Sequence, residues 1–243
     1  MVPYSLRVLL ENVALRSPEA LPGFLSMLRG ETDYGEVAFF PHRLMFHDTT
    51  CLPALADFAA MRDLTAELGG DARAINPQIP AVLTIDHSVI VESYASAEAL
   101  EENLQFDFRR NAERYRFIRW AEQSLDNFRV IPPGTGIIHL MNLEVVAEVV
   151  VLDQSADVPL LHADYMVATD SHTPMINALG ILGWGVGGLE GQATLLGEPV
   201  TLCFPEVTGI SLSGTLSEYV SESDLALHIT RLLREHHVVG KFV

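Results

Sequence analysis

Three polar clusters interrupt apolar runs of this sequence and carry side chains that can exchange protons. The first is Asp86-His87-Ser88, which stands in the middle of the run VLTIDHSVIV. A charged pair in an apolar strand is costly unless its members pair with each other or line a cleft. An Asp next to a His can fix the tautomer of the ring and make it a general acid near neutral pH. The triplet therefore predicts an acid–base site, with a purely structural Asp–His pair as the alternative.

The second cluster, Asp170-Ser171-His172, directly follows the apolar run 165–167. Ligands of open α/β sheets bind beyond the carboxyl ends of the strands, so this is the position expected of a binding site. The alternative is a helix N-cap, in which Ser171 or Thr173 caps a helix that starts near Pro174. The two interpretations are compatible because the N-terminus of a helix also attracts carboxylates.

Two more histidines stand in comparable surroundings. His139 is the third cluster and lies in the apolar stretch GTGIIHLMN, while His47 and Asp48 follow an apolar run in FHDTTC. A lone His among apolar residues is more often a hydrogen-bonded core residue than a site residue. The histidines that could supply a mononuclear metal site are His42, His47, His87, His139, His162 and His172. None of them has the spacing of a metal-binding motif, so no metal site is predicted.

The composition narrows the classes of protein and of partner. Acidic residues outnumber Lys and Arg 32 to 15, and the formal net charge is −17. This charge predicts no nucleic-acid partner, because binding phosphates needs a surplus of Lys and Arg. The sequence contains no run of 18 uncharged apolar residues and no signal-peptide pattern, so no membrane partner is predicted either. Its two cysteines, Cys51 and Cys203, form no CxxC pattern, and such low usage predicts a cytoplasmic location.

Predicted strands and helices alternate along the chain, which indicates an α/β fold with an open, largely parallel sheet and flanking helices. The predicted helices cover residues 3–16, 54–68, 96–125, 175–196 and 224–235. The predicted strands cover residues 36–40, 80–91, 165–169 and 207–212. Gly183-x-Gly185-x-x-Gly188 matches a dinucleotide fingerprint only formally, because it falls inside a predicted helix and not directly after a strand. Tight packing explains these glycines better.

Seven sequence blocks together resemble one known family. They are PYSLRVLLEN (3–12), DFAAMRD (57–63), INPQIP (75–80), IDHSV (85–89), FRRNAERYRFIRWAEQSLDNFRVIPPGTGIIH (108–139), ATDSHTPMINALGILGWGVGG (168–188) and VVGKFV (238–243). With them the sequence closely resembles the aconitase and iron-regulatory-protein family over nearly its whole length. The resemblance implies that 1–243 form a single aconitase-like α/β region, with room for a smaller subregion over 1–70. It implies no cluster-ligand domain and no swivel domain within these residues.

The resemblance also implies roles for individual residues. The implied catalytic residues are Asp86, His87, His139, Asp170 and His172. The implied substrate contacts are His47, Asp48, Ser88 and Ser171. By this correspondence Asp86 and His87 match the pair that protonates the departing hydroxyl group of the substrate. Ser171 matches a residue that donates a hydrogen bond to a substrate carboxylate.

Three positions depart from the family's pattern. His47 stands where a Gln is usual, Cys51 where a Gly is usual, and Leu140 where a Gln commonly follows the His. The chemistry that the resemblance implies is the elimination and re-addition of water on a hydroxy acid. The departures favour a hydroxy-polycarboxylate other than citrate as the substrate.

The family's later domains carry three cysteines that hold a [4Fe–4S] cluster and the serine that acts as the base. The main hypothesis is therefore an aconitase-like hydro-lyase or isomerase subunit, for which a partner polypeptide supplies the ligands of the cluster. A cluster-free, stand-alone dehydratase or isomerase is one alternative. A non-catalytic remnant that binds a carboxylate or a protein is the other. The expected partners are a small hydroxy-carboxylate and either a second subunit or another copy of this chain.

Overall fold

The computed structural model describes residues 2–138, 143–154 and 158–243. The helices in this part of the chain are α1 Tyr4–Arg16, α2 Leu21–Arg29, α3 Asp48–Glu67, α4 Ala99–Arg110, α5 Ala112–Ser124, α6 Leu143–Val145, α7 Gly188–Leu195 and α8 Glu222–Glu235. The strands are β1 Glu36–Phe39, β2 Arg43–His47, β3 Ala81–Thr84, β4 Phe128–Ile131, β5 Val150–Asp153, β6 Leu160–Ala163, β7 Tyr165–Ala168, β8 Leu182–Gly185 and β9 Val200–Cys203. The chain divides into two compact units, residues 39–200 and residues 1–38 with 201–243.

The larger unit is built on a parallel sheet whose strands follow the order β4-β3-β2-β7-β8. All four pairings between neighbouring strands are parallel. Every residue of β3 and β7 is buried, and both strands are continuous apolar runs apart from one Thr. Parallel strands have this composition because helices cover both faces of their sheet. The predicted α/β fold with an open, largely parallel sheet and flanking helices is confirmed.

Side chains of β2 alternate between the two faces of the sheet, as the pleat of a strand requires. Met45 belongs to a buried cluster that includes Met166 and Ile176. Leu44 and Phe46 meet α7 on the opposite face, where the backbone of Gly191 comes close to both side chains. Helix α3 packs beside α7 on this face. The apolar strand is thereby covered from both sides, and only its ends remain for polar residues.

The smaller unit consists of α1, α2, α8 and the pair formed by β1 and β9. Its aromatic core includes Phe24 and Phe204, whose ring centroids lie 5.2 Å apart. Helix α8 begins with a capping box in which Ser221 and Asp224 bond to each other's backbone. Among the helices described here, in either unit, none has both the length and the apolar character needed to cross a membrane.

The Gly-rich segment 175–196 is not the single helix that was predicted. A 3-10 helix over Thr173–Leu179 is followed by β8 and then by α7. Gly180 ends the 3-10 helix with φ +80°, a left-handed conformation that residues with a Cβ rarely adopt. The prediction was wrong because apolar spacing alone does not separate a buried strand from a buried helix.

Other element boundaries also differ from the prediction. Strand β3 ends at Thr84, so residues 85–91 do not continue the predicted strand, and 207–212 contains only an isolated bridge between Val207 and Phe242. The helical stretch 96–125 is two helices, α4 and α5, that are separated at Asn111. Helix α3 starts at Asp48, before Pro53, because the side chain of the preceding His accepts a backbone hydrogen bond at its N-terminus.

Gly183 in β8 allows the preceding 3-10 helix to approach the strand. A Cβ at this position would lie 2.3 Å from Cγ2 of Ile176 and 3.1 Å from the carbonyl oxygen of Thr173. We expect Gly183→Ala to lower the free energy of unfolding by about 1–3 kcal/mol, because the close approach would have to open. Urea unfolding measures this. Gly209→Ala is the control, since no atom lies within 4 Å of its added Cβ, and equal losses in the two variants would contradict the packing explanation.

A buried ion pair joins the starts of β2 and β7. Nη2 of Arg43 lies 2.6 Å from Oδ2 of Asp164, and Nε lies 3.2 Å from Oδ1, so the guanidinium and the carboxylate meet through two hydrogen bonds. The side chain of Arg43 is 5% exposed and that of Asp164 is fully buried. Asp164 also accepts the backbone N–H of Glu148, and Arg43 donates to the carbonyl of Val146. The pair therefore ties both strands to the chain segment before β5.

Candidate active site at the carboxyl edge of the sheet

Three polar segments follow three neighbouring strands of the larger unit. His47-Asp48 closes β2, Asp86-His87 follows β3, and 170–172 follows β7. In the sheet order, β2 lies between the other two strands, and all three run in the same direction. The carboxyl ends of parallel strands share one edge, and neighbouring strands lie about 4.8 Å apart. The fold therefore brings the predicted clusters to the same edge of the sheet.

The segments after β2 and β3 form two crossed His–Asp pairs. Nε2 of His47 lies 2.6 Å from Oδ1 of Asp86, and Nδ1 of His87 lies 2.6 Å from Oδ2 of Asp48. The sequence interpretation considered a pair between the adjacent Asp86 and His87, but each of them instead pairs with a residue of the segment after β2. Consecutive side chains of an extended segment point in opposite directions, so partners come from across the strands. Each His is thus held by a carboxylate from the other segment.

The ring of His87 is held between two carboxylates. Asp48 contacts Nδ1, while both oxygens of Asp107 approach Nε2, at 3.1 and 3.3 Å. A ring that carries a proton on each nitrogen can donate to both carboxylates, and a neutral ring can donate to only one. The side chain of His87 is 11% exposed. The geometry therefore suits a histidine that holds a proton for transfer.

Asp107 is itself fixed by two donors from the helix pair α4 and α5. The hydroxyl of Tyr115 donates to Oδ2 over 2.7 Å, and the side-chain amide of Asn111 donates to Oδ1 over 2.9 Å. Burial alone would raise the pKa of Asp107, but the hydrogen bonds from Tyr115, His87 and Asn111 outweigh it and hold the pKa below its usual range. Burial and the same hydrogen bond raise the pKa of Tyr115. Asp107 therefore accepts hydrogen bonds as a carboxylate.

The buried carboxylates of Asp48 and Asp86 have different partners that compensate for their loss of hydration. Asp48 is fully buried, and Nη1 of Arg114 lies 3.2 Å from its Oδ2, the same oxygen that contacts His87. A buried carboxylate needs such partners because the loss of hydration is otherwise uncompensated. Oδ2 of Asp86 accepts the backbone N–H of Ile138. That bond links the end of β3 to the segment that leads toward His139.

The segment after β7 is held in place by hydrogen bonds among its own residues. Oδ1 of Asp170 accepts the backbone N–H of His172 over 2.7 Å, and Oγ of Ser171 lies 3.2 Å from Nδ1 of His172. The predicted N-cap by Ser171 or Thr173 is wrong: His172 occupies the cap position and makes no side-chain cap bond. The hydroxyl of Thr173 donates to backbone carbonyls of β7 and of the turn that follows it. This leaves Ser171 exposed and the side chain of His172 52% exposed, as groups that can meet a ligand do.

The remaining predicted site residues are placed as follows. Ser88 is exposed directly after His87. His139 lies outside the described residues, and its predicted role stays a prediction. Thr50 at the start of α3 lies 2.7 Å from Thr169, hydroxyl to hydroxyl, which joins the segments after β2 and β7. Direct contacts therefore join the chain segments that follow β2, β3 and β7.

Four residues of this site were not predicted as site residues: Asp107, Asn111, Arg114 and Tyr115. Asn111, Arg114 and Tyr115 fall in a sequence block that was used only for the family resemblance. A usable signal was present for Asp107, which stands between Phe106 and Phe108 in the sequence. The structure buries this residue in α4. An acidic residue on the apolar side of a helix requires a partner, and the partner is His87.

The fit of a metal or cluster can be judged from the donor atoms. His47, Asp48 and Asp86 place ligand-type atoms within 4.8 Å of one another. Nδ1 of His47 accepts the backbone N–H of Thr49, so the neutral ring carries its proton on Nε2, toward Asp86. Both ring nitrogens of His47 are thus already in contact with groups of the protein, and we assign no metal ion to these three residues.

An iron–sulfur cluster does not fit the cysteines of this chain. Such clusters take three or four thiolates, and the sequence has only Cys51 and Cys203. Cys51 is buried in α3, and burial together with the charge of Asp48 raises the pKa of its thiol. Cys203 is exposed and lies in the smaller unit. These residues cannot hold the cluster that the resemblance implies.

Comparison with known proteins shows the family to which this chain is related. The family model described as "Aconitase family (aconitate hydratase)" matches residues 25–243. This chain belongs to the aconitase family. Similar relatives, each matched by the whole of this chain, are aconitate hydratase A of Rickettsia bellii (48% identical), of Legionella pneumophila (46%) and of Escherichia coli (44%). The chain spans only 27–28% of the length of these relatives.

Proposed function

We propose that this chain contributes the acid and the carboxylate-binding groups of an aconitase-type hydro-lyase that acts on a hydroxy-polycarboxylate. The observation that supports this most strongly is the ring of His87, held between Asp48 and Asp107 at the carboxyl edge of the sheet. Ligands of open parallel sheets bind at this edge. Membership of the aconitase family favours dehydration and rehydration as the reaction.

In the proposed reaction, a hydroxy acid loses its hydroxyl group and a proton from the neighbouring carbon, leaving a double bond. A base that the second polypeptide would supply takes the proton from the carbon. His87 donates the Nε2 proton to the departing hydroxyl, which leaves as water. The ring keeps the proton on Nδ1, which stays hydrogen-bonded to Asp48. Rehydration returns a proton to Nε2. General acid catalysis of this kind contributes about 10²–10⁴-fold to a rate. The fully buried Asp48 orients the acid in this mechanism and does not itself reach the substrate.

Groups that can bind the substrate's carboxylates lie at the same edge of the sheet as the acid. Ser171 offers a hydroxyl donor, and the exposed ring of His172 offers a nitrogen next to it. His47 places a ring at the end of β2, between the two other segments. A ring differs from the amide of Gln in size and in its donor atoms. This supports a substrate that differs from citrate in the part that meets His47.

A second polypeptide would complete this enzyme. The two cysteines of this chain cannot hold an iron–sulfur cluster, so the ligands of such a cluster would come from outside these 243 residues. No step described above involves the cluster. Directly after His87, the apolar residues Ile90, Val91 and Tyr94 are exposed, Tyr94 to 80%. A contiguous exposed apolar stretch is typical of a protein–protein contact. We therefore propose a partner subunit, or a second copy of this chain, that covers this stretch.

A chimaera tests the proposed function. The matching 28% of aconitate hydratase A of E. coli is replaced by this chain, and dehydration is measured on a panel of di- and tricarboxylic hydroxy acids. We expect turnover of at least one of these acids, with a preference that differs from that of the parent enzyme. The control is the parent enzyme with the same junctions and its own segment. An inactive chimaera that folds and retains its cluster would overturn the proposal.

The two chains produced separately in one cell test the partner. Copurification of this chain with the remaining part of the relative would support a split enzyme. Turnover by this chain alone after treatment with a chelator would instead support the stand-alone, cluster-free enzyme. Binding of a carboxylate without turnover in any assembly would support a non-catalytic remnant.

A further inference from the structure

The two carboxylates that contact His87 come from different elements and lie at different distances from the ring. Asp48 comes from the sheet edge, is fully buried and lies 2.6 Å from Nδ1. Asp107 comes from α4, outside the sheet, and its oxygens share Nε2 at the longer distances of 3.1 and 3.3 Å. Short charge-assisted hydrogen bonds are the stronger ones. The contact at Nε2 is therefore the one that a ligand can replace more easily.

The surroundings of Asp107 favour a charged carboxylate that accepts a hydrogen bond from His87 and does not take the Nε2 proton. Tyr115 and Asn111 donate one hydrogen bond to each of its oxygens. Hydrogen bonds to a charged carboxylate favour that form and make it a weaker base. A carboxylate without these donors would compete with the ring for the proton. The helix pair thus leaves the proton on His87.

We propose that Asp107 is a positioning residue, which holds the Nε2 proton of His87 in place until the hydroxyl group of the substrate replaces it. Tyr115 and Asn111 fix the carboxylate in the orientation that this requires. The identity of the displacing group rests on the proposed function, whereas the hydrogen bonds that position the ring do not. On transfer, the N–H bond at Nε2 breaks and an O–H bond forms on the leaving hydroxyl, while Asp107 keeps its charge.

Nitrogen NMR of the full chain, labelled at the histidine rings, tests this without any enzymatic assay. The His87 signals are assigned by their loss in His87→Gln. In the unsubstituted chain we expect a proton on each ring nitrogen, because each nitrogen faces a carboxylate, and slow exchange of the Nε2 proton with water. In Asp107→Asn we expect the Nε2 proton to exchange about tenfold faster or more, as loss of a charge-assisted hydrogen bond implies, while the Nδ1 proton keeps its signal. Asp63→Asn, an exposed position on α3, is the control.

Unchanged His87 ring signals in a folded Asp107→Asn variant would overturn the proposal. If that variant does not fold, Tyr115→Phe decides, because it removes only one hydroxyl. We expect the carboxyl carbon of Asp107 to titrate at higher pH in Tyr115→Phe, since the hydrogen bond from Tyr115 lowers the pKa of Asp107. An unchanged titration would contradict the proposal. If the chimaera is active but the ring signals do not change in Asp107→Asn, the positioning role is wrong and the proposed function stands. If the chimaera is inactive but the ring signals change as expected, the proposed function is wrong and the positioning role stands.

Discussion

Replacing His87 by Gln is expected to slow dehydration by the chimaeric enzyme about 10²–10⁴-fold, the range in which a general acid contributes. The ring has a carboxylate within hydrogen-bond distance of each of its two nitrogens. Gln fills a similar volume and can still donate to Asp48, so the fold should persist, but its amide cannot release a proton. Steady-state kinetics measure the loss, and the loss should fall mainly on kcat.

Two further measurements make the result specific to acid catalysis. His236→Gln changes an exposed ring in the smaller unit and should leave the rate unchanged. A substrate whose leaving group needs no protonation should lose far less rate in His87→Gln than the natural hydroxy acid. If both substrates lose rate equally, His87 serves binding or structure and not proton transfer.

The largest effect on stability is expected at the ion pair that joins β2 and β7. Arg43→Met should lower the free energy of unfolding by about 3–5 kcal/mol, because it leaves the charge of Asp164 buried without its partner. Urea unfolding of the full chain measures this. Arg119→Met provides the matched control, since its pair with Glu122 lies at the surface, and exposed pairs are worth about 0–1 kcal/mol.

The double variant separates the buried charge from the lost packing. Arg43→Met combined with Asp164→Asn removes the unpaired charge but keeps an acceptor for the backbone N–H of Glu148. We expect the double variant to be more stable than Arg43→Met alone, which is a coupling that independent sites do not show. If the two single losses simply add, the pair is not the origin of the stability.

The sequence predicted the sheet well where a strand is short, apolar and followed by polar residues. The run at 165–169 matches β7, and the polar segment after it lies at the sheet edge as predicted. The Gly-rich segment 175–196 was misassigned because its apolar residues are continuous on all sides. Only the tertiary contact of Gly183 with the preceding helix shows where the chain must be extended.

The sequence indicated that polar clusters follow the strands, but not how their side chains pair. Residues Asp86 and His87 are adjacent in sequence, and no sequence pattern reveals that each bonds to the segment after β2. That pairing depends on the register of β2 against β3, in which His47 aligns with Thr84. Asp107 was missed for a related reason: its role depends on how α4 lies over the end of the sheet, which helical periodicity does not determine.

The crossed pairs at the ends of β2 and β3 also constrain how this protein can change over generations. A substitution at His47 removes the partner of Asp86, and a substitution at Asp48 removes a partner of His87. A replacement at one of these positions is therefore tolerated only where the new side chain still bonds to its partner across the strands, as the amide of the Gln that is usual at position 47 can do with Asp86.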